Sequence, residues 1–272
     1  MRERTLINCG WEYIPKWRDE FVQPGLSADG FVKVTIPHAN KEISYNYFDE
    51  RDYQFVSCYR RTIVYQASWA GKRVLADFDG VMAYAEVYLN GRLVGSHKGG
   101  YTPFSVDLTA GLQPGENLLV VKVDSTERPD IPPFGYTIDY LCYGGIYRDV
   151  YLRVVEPVFV ENVFAKPKQV LNEKKGLETT VFVSNTTTEE HSFSVVVKLS
   201  KDGRLIAEGS RAAVAEPGKS RVDVVISNLS GIELWDVDNP HLYQVEVALQ
   251  DSKGVQDTYT TRIGFREAVV RP

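Results

Sequence analysis

Along this 272-residue chain the apolar positions recur mostly with a period of two, and helical spacing is scarce. In AYAEVYL (83–89), Ala83, Ala85, Val87 and Leu89 fall on one face, and Tyr84, Glu86 and Tyr88 on the other. That is the pattern of a strand with one side in a core. Asn90-Gly91 follows at once, and then RLVGSH. Asn-Gly tolerates positive φ at both centres of a type I′ turn, so a hairpin is predicted here. FSVDL (104–108) alternates in the same way, as do Leu119, Val121 and Val123 against Val120, Lys122 and Asp124. RDVYLRVV (148–155) closes this first cluster, and Pro157 punctuates it.

The second half repeats the pattern in LETTVFVSN (177–185), SFSVVVKLS (192–200), SRVDVVIS (220–227), YQVEVALQ (243–250) and DTYTTRIGF (257–265). Asp202-Gly203, Pro217-Gly218 and Asp238-Asn239-Pro240 lie between these runs as turn formers. Short strands at this spacing, without intervening helices, predict an all-β protein of antiparallel sandwiches with one buried face per sheet. The boundary is expected near Glu156-Pro157, giving domains 1–156 and 157–272.

Composition removes several classes of function. Apolar residues make up 43% and charged residues 25%, ordinary globular usage. A net charge of −5 lacks the basic footprint of a nucleic-acid partner. No run approaches the roughly 18–20 apolar residues of a membrane span. Cys9, Cys58 and Cys142 are too scattered for a disulfide framework, and the opening MRERTLINCGWEYIP lacks the apolar stretch of a signal peptide. Reduced thiols and a cytoplasmic location are expected.

Candidate chemistry is sparse. His38, His97, His191 and His241 are far apart, in no metal-binding spacing, so no metal and no cofactor are expected. There is no G-x-S-x-G elbow, and the glycines of GGY (99–101) and YGGIY (143–147) form no phosphate loop. Glu173 sits in LNEKKGLE, a charged stretch between strands, and reads as a solvated residue. The first half differs from the second in its loops. Residues 38–58 and 125–147 are long and aromatic-rich, and loops on a rigid scaffold are where binding concentrates. Asp139 lies among the aromatics of FGYTIDYLCYGGIYRDV. A carboxylate there can accept from two sugar hydroxyls while rings cover the apolar sugar faces. Capping a turn, or pairing with Arg148, is the alternative.

The segments VTIPHAN (34–40), YRRTI (59–63), FDGVMAYAEVYLNGRLVGSHKGGYTPFSVDLT (78–109), PGENLLVVKV (114–123) and GGIYRDVYL (144–152) together resemble the sugar-binding N-terminal domain of glycoside hydrolase family two. LWDVDNPHLYQVEVAL (234–249) and IGFRE (263–267) are similar to its immunoglobulin-like domain. The resemblance implies a galactose-binding-like jelly roll followed by an immunoglobulin-like sandwich. In this family a TIM barrel carries both catalytic glutamates, and a barrel needs about 250 residues. The 272 residues match none of it, so no catalytic residue is assigned and the chain alone is expected to be inactive. The resemblance implies a retaining glycosidase acting on β-galactosides or β-glucuronides, with that barrel, on the same parent chain, as partner. In β-galactosidases and β-glucuronidases an aspartate five residues before the (S/A/G)-G-I motif contacts sugar. With the motif at Gly144-Gly145-Ile146, that residue is Asp139. Asn46 stands at a similar offset after IPH to a substrate-contacting asparagine, an Asx-turn being the other reading. A free-standing carbohydrate-binding module is the alternative function, and homo-oligomers are compatible with either.

Overall fold

The structure, a computed structural model, describes residues 2–46, 49–132 and 141–268. Contacts divide the chain into two units, one of Glu3–Val154 and one of Val155 onward together with Arg2. The first unit contains β1 (Glu3–Leu6), β2 (Trp11–Ile14), β3 (Val32–Val34), β4 (Val56–Val64), β5 (Arg73–Phe78), β6 (Tyr84–Leu89), β7 (Arg92–Lys98), β8 (Phe104–Asp107), β9 (Glu116–Asp124) and most of β10 (Val150–Val155). They form a six-stranded sheet, β3-β2-β4-β9-β6-β7, and a four-stranded sheet, β1-β10-β5-β8. This is the jelly-roll sandwich. The β6–β7 hairpin closes on Leu89↔Arg92, with Asn90 at φ 51 and Gly91 at φ 84, as the type I′ turn requires. Ala85, Val87 and Leu89 enter the core beside Leu119, Val121 and Val123 of β9. Each such aliphatic side chain contributes about 1.5–3 kcal/mol on burial.

The expectation of one buried face per sheet fails for the six-stranded sheet. On its other side Val120, Cys58 and Ile14 are buried against Phe21 and Val22, with Trp17 and Phe31 packed alongside. Arg60 fastens this cover. Its Nε donates to Glu12 at 2.7 Å, its guanidinium lies 4.0 Å from the Phe31 ring centre, and its Nη1 reaches the Leu26 carbonyl at 3.3 Å. The covering segment has no period-two pattern, and so its role is not written in local sequence.

The second unit contains β11 (Val158–Lys168), β12 (Lys175–Asn185), β13 (His191–Lys201), β14 (Arg204–Ala215), β15 (Gly218–Leu229), β16 (Tyr243–Asp251) and β17 (Gly254–Ile263). Sheets β11-β12-β15 and β14-β13-β16-β17 make the immunoglobulin-like sandwich. Its core takes alternate residues from facing strands: Leu177, Val181 and Val183, then Val195, Val197 and Leu199, then Val245, Val247 and Leu249. Asp257 is buried in this unit. It accepts from Arg2 Nε at 3.2 Å, Arg2 Nη2 at 3.0 Å and the Val160 N–H at 2.8 Å, beside the bulge in β11. Among the described residues, no helix is long and apolar enough to cross a membrane.

Candidate functional site

Loops that follow β3, β5 and β9 and precede β10 meet at one end of the jelly roll. Their meeting point is a hydrogen-bonded backbone node. The His38 N–H donates to the Ile146 carbonyl at 2.8 Å, and the Asn40 N–H donates to the Gly144 carbonyl at 2.8 Å. Met82 and Gly145 form an isolated antiparallel bridge, N to O at 3.0 and 3.3 Å. The 38–40 segment is thereby stitched to 144–146 as a short irregular ladder, and Ile146 is fully buried beneath it.

Only glycine fits at the centre of this node. A Cβ on Gly144 would stand 2.2 Å from Ser125 Oγ and 2.4 Å from Asn40 Nδ2. Gly145 has φ +112, and a Cβ there would stand 2.5 Å from the His38 carbonyl and 2.7 Å from the Tyr59 hydroxyl. The Gly-Gly pair therefore serves close approach of backbones rather than a free turn.

Buried polar side chains brace the node. Asn40 Nδ2 donates to the Tyr53 carbonyl at 2.7 Å, the Asn40 carbonyl accepts from the Tyr13 hydroxyl, and Ser125 Oγ donates to the Met82 carbonyl at 2.9 Å. His38 Nδ1 and the Tyr59 hydroxyl are hydrogen-bonded at 2.8 Å, and the Tyr13 ring is tilted against both, at 4.8 Å from each. Burial lowers the His38 pKa below 6.5, with Glu42 pulling it back up. Burial raises Tyr13 and Tyr59 far above the usual phenol value, so both stay neutral donors. Among the described residues, the buried Asn40 Oδ1 has no hydrogen-bond donor.

Of the residues expected at the site, Asn46 lies on the loop that leaves this node through His38 and Asn40. It is exposed, in a bend, and its side chain makes no hydrogen bond to a described residue. The Asx-turn reading of Asn46 turns on residues 47 and 48, which lie outside the described residues. Asp139 lies outside the described residues, and its loop returns to them at Leu141 and is anchored from Gly144. Neighbouring Tyr143 is 45% exposed, with its ring 6.1 Å from that of the buried Tyr53. Asn40, Tyr53, Ser125 and Met82 carry no motif that singles them out. Their pairing with 144–146 spans long sequence separations, and only the fold brings them together. Among the described residues, no three His, Cys, Asp or Glu side chains converge as a metal cage. What the node can do chemically is hold two polar loops in fixed positions.

A jelly roll and an immunoglobulin-like sandwich in series define an N-terminal module of the kind found in large glycosidases. Residues 22–156 match the sugar-binding domain of the glycosyl hydrolases of family 2, and residues 158–266 match a second domain model of the same family. The chain belongs to glycosyl hydrolase family 2. It is 38% identical to a β-galactosidase of Thermoanaerobacterium thermosulfurigenes over 275 aligned positions, covering 100% of this chain and 38% of that protein. With a β-galactosidase of Thermoanaerobacter pseudethanolicus the identity is 34%, covering 99% and 36%. The crystal structure of a Bacteroides uniformis β-glucuronidase superposes with a TM-score of 0.87 at 25% identity, covering 97% of this chain and 32% of that one. The chain spans little more than a third of the length of the curated relatives it matches.

Proposed function

We propose that this chain is the non-catalytic N-terminal part of a retaining glycosidase acting on β-galactosides, with β-glucuronides as the second substrate class. Its jelly roll narrows the sugar pocket of a barrel supplied by the same parent chain. The observation that supports this reading is the end-to-end likeness to β-galactosidases about three times as long. The node gives it a physical basis. Residues 38–40 and 144–146 clamp the roots of the loops that carry Asn46 and Asp139. Side chains on loops with fixed roots can orient a terminal sugar, and positioning of that kind is what a remote domain adds to a reaction centre. Retaining hydrolysis needs two carboxyl groups about 5–5.5 Å apart around the scissile bond, which this reading places on the barrel.

The test is to assay two proteins with chromogenic β-galactoside and β-glucuronide: the product of the whole parent reading frame and the 272-residue chain alone. Turnover by the former and none above a blank by the latter is expected. Turnover by the 272-residue chain, or a parent frame that ends at Pro272, overturns the reading; the latter result assigns a free-standing carbohydrate-binding module instead.

A further inference from the structure

Beside the node, on the same jelly roll, Pro37, Asp79, Pro103, Tyr147, Arg148 and Asp149 line an open cavity of about 400 Å³. That volume lies within the range of small-molecule sites. Its polar groups are of opposite sign and unequally engaged. Asp149 is spoken for, accepting from Asn8 Nδ2 at 2.8 Å and from the Tyr151 hydroxyl at 3.1 Å. Asp79 is not. Its side chain is 39% exposed, its Oδ1 meets Arg4 Nη2 at 3.4 Å, and its Oδ2 has no donor among the described residues. Burial raises the Asp79 pKa, with Arg4 opposing, Asp149 and Asp77 adding to the rise and Arg148 opposing it, so this carboxylate gains from a further donor brought to it.

Arg148 supplies the complementary group. Its stem is fixed against Gly80, where a Cβ would stand 2.9 Å from Arg148 Cδ. Its guanidinium carbon is 5.3 Å from the Tyr147 ring centre, and Nη1 makes a long 3.4 Å contact to the Tyr101 carbonyl. A guanidinium has five N–H donors in a planar fork, so most of this one's capacity faces the groove and solvent. The Tyr147 hydroxyl donates to the Gly100 carbonyl, which fixes its ring as part of the wall.

We propose that this groove is a second carbohydrate subsite, separate from Asp139 and Asn46. It takes a neutral pyranose whose neighbouring hydroxyls bridge the Asp79 carboxylate and the Arg148 guanidinium, while a C–H face of the ring lies on Tyr147 and the two prolines. Vicinal hydroxyls both donate and accept, which matches one free acceptor facing one fork of donors. The carboxylates of Asp79 and Asp149 stand against the guanidiniums of Arg4 and Arg148, so the groove carries no net charge to favour an ionic sugar over a neutral one. Proline and tyrosine surfaces supply the apolar contact that such sites use alongside a few polar groups.

The experiment is an amide-shift titration of the 272-residue chain with D-galactose, D-glucose and D-glucuronate. Saturable shifts centred on Asp79, Tyr147 and Arg148 are expected for the two neutral sugars at millimolar concentrations, the range a few exposed hydrogen bonds support. Glucuronate is expected to bind more weakly. Asp79→Asn is expected to weaken galactose binding by about tenfold, a charged hydrogen bond's share, with the melting temperature unchanged. Shifts confined to residues 141–146, with none at Asp79, Tyr147 or Arg148, place the sugar at the Asp139 loop instead and overturn the subsite. Absence of saturable shifts at these three residues overturns the proposal. So does unaltered binding by folded Asp79→Asn. Mapping on the unmutated chain decides the matter alone should Asp79→Asn fail to fold.

Discussion

The two sandwiches bury alternating aliphatics in the same way, yet they spend buried polar groups differently. The jelly roll gathers Asn40, Ser125, Tyr13, Tyr59 and His38 at one end, where they brace long loops around Gly144-Gly145. The immunoglobulin-like sandwich joins its strands by shorter turns, and its buried carboxylate, Asp257, ties the N-terminal Arg2 to the seam between β11 and β17. One arrangement pins segments 38–40 and 144–146 together; the other ties strands of a scaffold. The contrast teaches that buried polar groups can serve loop anchoring in one sandwich and strand seams in the other.

Substitutions can break this comparison from either side. The largest effect is expected in the second unit. Asp257→Ala removes the carboxylate that accepts from Arg2, only 14% exposed in its side chain, and from the Val160 N–H. A loss of about 3–5 kcal/mol, read by denaturant unfolding, is the expectation for one half of a buried pair removed. Next comes Gly145→Ala. Backbone strain of about 1–3 kcal/mol at φ +112 adds to overpacking of similar size against the His38 carbonyl. Gly218→Ala, at φ +101 with nothing within 4 Å, should show the strain alone. Equal losses in these two variants would remove the claim that the Gly-Gly node is sterically locked.

Smaller effects sharpen the picture. Asn40→Ala removes one donor to the Tyr53 carbonyl, which keeps the Phe55 N–H at 3.2 Å, so a loss of about 1 kcal/mol in thermal unfolding is expected. The smallest effect is in pH. Burial lowers the His38 pKa in the folded state, so the unfolded chain binds more protons below pH 6.5. The contribution of neutral His38 is complete above that value and is lost as pH falls through the lowered folded pKa. A melting temperature that drops more steeply below pH 6.5 in the native chain than in His38→Gln is the expected result, and parallel curves would count against a half-buried His38 held neutral.

Much of the fold was legible because alternation at Ala85-Val87-Leu89 or Val195-Val197-Leu199 reports a half-buried strand directly. Other strands escape that signal for physical reasons. β5 is buried at five successive positions and so shows no alternation, while β14, at a sheet edge, is mostly exposed. The cover over the six-stranded sheet depends on Arg60 meeting Phe31 and Glu12, which no local pattern encodes. At the candidate site, Asn46 and Asp139 stood out by their aromatic, loop-borne settings and by family likeness. The node that anchors their loops did not, because each of its hydrogen bonds joins segments remote in sequence. The groove at Asp79 and Arg148 was likewise hidden, since its lining comes from four separate loops.

The central claim is that the jelly-roll loops, braced by the node, present a sugar-binding carboxylate. It is tested most directly by Asp139→Asn in the whole parent protein, with kcat/KM measured on a chromogenic β-galactoside. Loss of a charged hydrogen bond to substrate predicts a fall of about 10- to 100-fold at unchanged thermal stability. A kcat/KM within about twofold of the parent, well under the 1.4 kcal/mol that separates tenfold steps, would contradict the account.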